Sequence, residues 1–275
     1  MIIDYHTHHE RCGHATGSIR DMIEKAIQQG ISHIGISDHS PLYIYEEDHF
    51  NPGMTMAKSE FPNYYKEIFE LKEEYKGMID VRLGVESDYF EGWETFYKEL
   101  YSQYSFDFII GSVHYFGGYH VFNPERWKGT NVDRDEIYKE YFSLVRKAAN
   151  SGMFDILGHI DAVKGLGYQP VSSMQKEMEE TANVIAKSNM AVELNTSGIR
   201  KCGEIFPSTN FLSLLHDRGV PFTFGSDAHS PEELSHGWKE ALAELKQLGV
   251  TELATFENRE RKMMPLNELL VEHKR

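Results

Sequence analysis

The stretch from Ser18 to Pro41, SIRDMIEKAIQQGISHIGISDHSP, contains a helix, its stop, a strand and a polar strand end, in that order. Ser18 opens an amphipathic helix that runs to Gln29, and Gly30 supplies the left-handed stop. Ile31 to Ile36 then reads as a buried strand, ending in Ser37-Asp38-His39-Ser40-Pro41. An apolar strand whose last residues turn suddenly to His and Asp is the unit from which the rest of the chain is built.

Working outward, Ile2 to Tyr5 leads into His6-Thr7-His8. Side chains alternate along a strand, so His6 and His8 point to the same side. His14 follows in a short Cys12-Gly13-His14 loop. Val81 to Val85 ends at Glu86, Phe106 to Val113 at His114, and Phe154 to Gly158 at His159 with Asp161 two residues on. Met190 to Leu194 ends in a segment from Asn195 to Arg200 that has no evident ligand but offers a cation. Pro221 to Gly225 ends in Asp227 and His229, a second same-side pair. Helical stretches lie between, over 18–29, 59–76, 93–103, 133–151, 172–188, 209–218 and 231–247.

Strand then helix, seven times with short connections, implies parallel strands and right-handed crossovers. An open sheet would collect its ligands at one switch point. Here nearly every strand brings a polar group at its carboxyl end, which is the barrel pattern. The expected fold is therefore an α/β barrel of about seven units, and a chain of 275 residues fits one such domain over 1–275.

His6, His8, His14, His39, His114, His159, His229, Glu86 and Asp227 all follow apolar runs. Neutral imidazole and carboxylate are the donors that hold Zn, Mn or Fe, and the ordered set reads as one metal site. Any one of these histidines alone would carry little weight, since a histidine beside a strand is usually a satisfied polar residue.

A net charge of −15 disfavours non-specific nucleic-acid binding, which depends on Lys and Arg neutralising phosphates. It leaves a small phosphate ester open, because metal ions dominate the local charge of such a site. Glu46 to Asp48 and Glu177 to Glu180 read as solvated faces, and the aromatic-rich Phe61 to Tyr75 as a core helix. No apolar run approaches a membrane span, and the N-terminus enters a strand without a signal peptide. Two cysteines, Cys12 and Cys202, point to a reducing cytoplasm, with Cys12, between His8 and His14, read as a plain loop thiol in preference to a soft metal ligand. The sequence has no signature for oligomeric state.

The set His6-Thr7-His8, His14, Ser37-Asp38-His39, Glu86, Ser112-Val113-His114, Gly158-His159-Ile160-Asp161 and Ser226-Asp227-Ala228-His229 resembles the four motifs of the polymerase-and-histidinol-phosphatase (PHP) family. The resemblance runs from residue 1 to about 250. The segments from His39 to Leu42, Gly84 to Tyr89 and Glu193 to Gly198 are similar to its histidinol-phosphatase branch. It implies a distorted (β/α)7 TIM-like barrel with a trinuclear metal centre. His6, His8, Glu86 and Asp227 would hold the first ion, and Glu86 would bridge to a second completed by His114 and His159. His14, His39 and His229 would hold the third. His9-Glu10-Arg11 departs from the small residues many relatives carry there, which bears on the shape of the entrance.

Such a centre, of three divalent ions (Zn, Mn or Fe), would activate a bridging hydroxide for attack on phosphorus and clamp phosphate oxygens. Arg200 is the expected substrate-phosphate contact, its planar fork matching phosphate oxygens. Asp161 is expected to orient a ligand or protonate the leaving alkoxide, and Lys164 and Lys201 are weaker candidates. The implied activity is hydrolysis of L-histidinol phosphate in histidine biosynthesis. The alternatives are a PHP phosphatase for phosphotyrosine, sugar or nucleotide phosphates, a nuclease, an amidohydrolase-type C–N hydrolase, and a non-catalytic metal-binding relic. An amidohydrolase would not require the third set, and the acidic charge speaks against the nuclease.

Overall fold

A computed structural model describes residues 2–129 and 132–266. Its strands are β1 (Ile2–Asp4), β2 (Ile31–Ile36), β3 (Asp80–Leu83), β4 (Glu86–Asp88), β5 (Ile110–Ser112), β6 (Tyr115–Phe116), β7 (Tyr119–His120), β8 (Ile156–Leu157), β9 (Ala191–Asn195), β10 (Phe222–Gly225), β11 (Glu252–Glu257) and β12 (Glu260–Pro265). The helices are α1 (Ile19–Gln29), α2 (Phe61–Glu74), α3 (Glu94–Tyr101), α4 (Arg134–Asn150), α5 (Gln175–Ser188), α6 (Ser197–Cys202), α7 (Thr209–His216) and α8 (Trp238–Leu248).

Parallel pairing runs β1-β2-β3 on one side and β4-β5-β8-β9-β10 on the other. Two joints close the ring. Tyr5 N donates to Phe224 O at 3.0 Å and Thr7 bridges Ala228, so β1 meets β10. At the other joint one barrel strand is split into β3 and β4. Its first half pairs with β2 and its second half with β5, while Glu86 N reaches Ser37 O at 3.0 Å. The result is the distorted (β/α)7 barrel, with the helices on the outside. A side chain at Gly84, inside the split, would overlap the Phe108 ring that fills the barrel.

Local chemistry sets the elements. α1 starts at a reciprocal cap, with Asp21 N donating to Ser18 Oγ at 3.1 Å and Ser18 N to Asp21 Oδ2 at 2.8 Å. It buries Ile19, Met22, Ile23 and Ala26 and stops at Gly30, φ 73°. Two expectations need correction. The helix expected over 231–247 begins only at Trp238, because 231–233 form a single 3₁₀ turn and Gly237 sits at φ 73°. The expected strand over 106–113 is regular only at 110–112; Asp107 N and Ile110 N instead reach Leu83 O and Val85 O across the split.

The antiparallel hairpin β11–β12 was not foreseen. It closes the end of the barrel where the strands begin: Tyr5 Oη accepts from Phe256 N at 2.9 Å, and Arg259 Nε donates to Asp155 Oδ2 at 2.8 Å. Tyr5 packs edge-on against both Phe108 and Phe256, at 4.9 and 6.0 Å. With that end filled, the opposite mouth is left for chemistry. No described helix is long and apolar enough to cross a membrane.

Candidate metal centre

All nine expected donors come from strand ends or the loops after them, and the barrel brings them to one mouth. Glu86 stands at the centre. Its Oε2 lies 2.8 Å from His39 Nδ1, 3.4 Å from His6 Nε2 and 3.6 Å from His8 Nε2. Its Oε1 lies 3.1 Å from His159 Nε2 and 3.5 Å from His114 Nε2. Asp227 Oδ1 is 3.1 Å from His8 Nε2 and 3.7 Å from His6 Nε2. At the rim, His229 Nε2 and His14 Nε2 are 3.0 Å apart. Several threes of donor atoms fall within one ion's reach: His6 with His8 and Glu86, His39 with Glu86 and His114, and His8 with His39 and His229. These sets share members, so the donors form one continuous shell.

Does this shell fit metal ions? His6 Nε2, His8 Nε2 and Glu86 Oε2 are buried without a hydrogen-bond partner among the described residues. Unpaired buried polar atoms cost about 1–3 kcal/mol each, so a cluster of them needs a reason. Donors about 2.0–2.1 Å from one tetrahedral ion are separated by roughly 3.3 Å, and the spacings above bracket that value. The shell therefore suits cations bound between its atoms. Asp227 adds a strained backbone, φ 53°, in the left-handed region, a strain that persists only where the surroundings impose it.

The far nitrogens of the imidazoles are held by carboxylates. His6 Nδ1 meets Glu193 Oε2 at 2.8 Å, His8 Nδ1 meets Asp38 Oδ1 at 3.1 Å, and His114 Nδ1 meets Asp88 Oδ1 at 3.1 Å. Such partners fix ring orientation and raise ligand basicity. Glu193 also accepts from His159 N and from Asn195 Nδ2, both at 2.8 Å. A side chain at Gly225 would strike both Glu193 and His6, so only glycine lets the two meet. Burial works against every charge here. It pushes His39 down to about 4, whereas Asp88 and Glu86 overcome it and lift His114 to about 9. Burial would also raise the Glu86 carboxyl, but His6, His39 and His114 hold it well below its usual range.

The orienting acids are what sequence reasoning missed. Glu193 reads as part of an apolar strand and of a branch-like segment but is given no role at the centre, and a glutamate inside that apolar run was the available signal. His120 was missed too. It faces the mouth because the Gly117-Gly118 turn folds β7 back on β6, and burial with the neighbouring imidazoles pushes it down to about 2. His9, read as shaping the entrance, is buried: it lies against the Tyr64 ring at 5.5 Å, with Nε2 3.4 Å from Asp38 Oδ2.

The remaining candidates separate. Asp161 is buried away from the imidazole shell's contacts, its Oδ2 accepting from Ser208 N at 2.8 Å and lying 3.0 Å from Lys164 Nζ. Arg200 lies beside the centre, 3.4 Å from Asp227 O and 3.3 Å from Glu233 Oε2. Lys201 reaches the carboxylate itself, 3.5 Å from Asp227 Oδ2. It lines a cavity of about 450 Å³ together with His14, His39, Met54, His114, His120, Phe122, Asp227 and His229.

The PHP domain model matches residues 4–197. A "Probable histidinol-phosphatase" from Deinococcus radiodurans is 35% identical over 270 residues, covering 96% of this chain and 99% of its own length. The "Histidinol-phosphatase" of Bacillus subtilis is 27% identical, with 87% of this chain and 97% of its own length covered. Among solved structures, the histidinol phosphate phosphatase of Lactococcus lactis, complexed with zinc, L-histidinol and phosphate, shares the fold. Its TM-score is 0.78 over 95% of this chain and 98% of that one, at 23% sequence identity. With a family model covering most of its length and a relative matched nearly end to end, this chain belongs to the PHP domain family.

Proposed function

We infer that the protein is a metal-dependent histidinol-phosphatase, which hydrolyses L-histidinol phosphate to L-histidinol and phosphate. The observation that carries this reading is 35% identity along 96% of the chain to a relative of that name, on a barrel whose mouth gathers the donor shell.

Three ions are proposed, of Zn, Mn or Fe. His6, His8, Glu86 and Asp227 would hold the first, Glu86, His114 and His159 the second, and His14, His39 and His229 the third. The spacings around Glu86 and the unpaired nitrogens of His6 and His8 support cations in this shell, while His39, which falls within reach of both Glu86 with His114 and His8 with His229, could serve either neighbour. Bound ions of this kind would polarise phosphate oxygens and lower the pKa of water toward neutrality, which would supply a nucleophile.

The chain's own residues do the rest. Glu193, Asp38 and Asp88 keep the imidazoles turned toward the centre. Glu86 brings negative charge to its middle, where a neutral side chain could not balance two cations. Lys201 and Arg200, on the helix after β9, are proposed to supply positive charge to the phosphate. Met54 and Phe122 give the cavity an apolar wall for the organic part of the ester and limit water there. Asp161, expected as a possible proton donor, is instead proposed to fix the loop after His159 through Ser208 and Lys164.

The deciding experiment is metal add-back to stripped enzyme, followed by phosphate release from L-histidinol phosphate and p-nitrophenyl phosphate. A specificity-constant ratio well above one in favour of histidinol phosphate is expected, because polar groups left unpaired by a simpler ester discriminate strongly. A ratio near one would keep the phosphatase and discard the substrate.

A further inference from the structure

Among the side chains around the mouth, His120 is a polar group that the proposed donor set does not use. Its ring lies parallel to that of His114, with centroids 5.3 Å apart and 7° between planes. Tyr115 abuts it edge-on at 5.2 Å. Its Nδ1 accepts from Phe122 N at 3.2 Å. A nitrogen that accepts carries no proton, so the neutral ring bears its hydrogen on Nε2. That N–H has no acceptor among the described residues, and the residue lines the cavity.

The backbone of Phe122 thus makes His120 a fixed donor. What meets it must be an acceptor, which rules out an ammonium group, since that only donates. Position narrows the choice further. His120 covers His114, whose Nε2 is 3.5 Å from Glu86 Oε1, so its ring stands one imidazole away from the donor shell. The ligand group drawn closest to cations in that shell is an anion with several acceptor oxygens. Lys201, 3.5 Å from Asp227 Oδ2 and 4.9 Å from the centre of the Phe122 ring, also faces this cavity.

We propose that His120 is a substrate-binding residue, its Nε2–H donating to a non-bridging oxygen of the phosphate held at the metal centre. This rests on the phosphatase reading and adds a specificity element to it. The ring is held by stacking and by one backbone hydrogen bond, so little reorganisation accompanies binding.

The test uses the metal-loaded full chain and inorganic phosphate as the probe, with binding measured by calorimetry and metal content measured per chain. His120→Phe keeps a stacking ring and removes the N–H. It should weaken phosphate binding by about 10- to 100-fold with metal content unchanged. His120→Gln, whose terminal amide returns a donor near the lost Nε2–H, should recover part of that loss. Unchanged phosphate affinity in His120→Phe would overturn the proposal. So would a loss of metal in His120→Phe that His120→Gln fails to correct, because His120 would then only prop His114. Weakened inhibition by L-histidinol with phosphate binding intact would likewise overturn it, by assigning the donor to the substrate's imidazole. Failure of the phosphatase reading shows separately, as wild-type enzyme that releases no phosphate from the esters while the phosphate-binding comparison still stands.

Discussion

Glu86 is the residue on which the centre turns. Four of its neighbours within 3.5 Å are imidazole nitrogens, and Ser112 Oγ donates to its Oε1 at 2.6 Å. Glu86→Gln keeps the shape but removes the charge, and the amide introduces donors among atoms awaiting a cation. Turnover should fall nearly to background, read as phosphate release at saturating metal; near-normal turnover would remove the bridging role. The two cations after β9 are separable in the same way. Lys201→Ala and Arg200→Ala should each lower kcat/KM by about 10- to 100-fold with metal content intact, the loss of one charge-assisted contact. Arg200 also has Glu233 as a neighbour, so an unchanged kcat/KM in Arg200→Ala would reduce it to a brace for the Asp227 loop.

At the scale of elements, the β11–β12 hairpin is held to the barrel by the Arg259–Asp155 pair. Burial keeps the Asp155 carboxyl above its usual range, against the pull of Arg259. A carboxyl whose folded pKa exceeds its unfolded one binds its proton more tightly in the fold. Its contribution is therefore most favourable below the unfolded pKa and declines as pH rises through the folded value. Arg259→Ala would raise the folded pKa further and deepen that decline. The variant should lose about 1–2 kcal/mol at neutral pH, a charged hydrogen bond discounted for partial exposure, and less in acid. Urea unfolding of variant and wild type in acidic and neutral buffer reads this, and an equal loss in both would sink it. This hairpin was also the element hardest to see in the sequence. Two-residue hairpins with both central residues at positive φ usually announce themselves by Asn-Gly, but here Asn258 and Arg259 take φ 52° and 64°. The βα units were legible because each apolar run ends in a polar break. The donors were legible for the same reason, since Glu86, His114 and His159 stand where those runs stop. Glu193 and His120 were not: one sits inside a strand, the other at the end of two-residue strands too short to carry a period.

For the whole molecule, the donor shell couples folding to metal. Binding to the folded state alone stabilises it by RT ln(1 + [L]/Kd), about 2.7 kcal/mol at a hundredfold excess over Kd. For a chain of this size that is a rise in Tm on the order of 5–10 °C. Chelation should lower Tm and metal add-back restore it, by calorimetry; a Tm indifferent to metal would mean that the mouth is stable without cations. The bond between Tyr5 and Phe256 spans 251 positions of the chain. A ribosome therefore releases the first strand long before the residue that seals it exists, and the barrel's floor is laid after all of its strands. Every nascent intermediate before that point carries a tyrosine hydroxyl with no Phe256 to meet it and a barrel open at the base. Quality control during synthesis would find this barrel vulnerable until Phe256 has emerged.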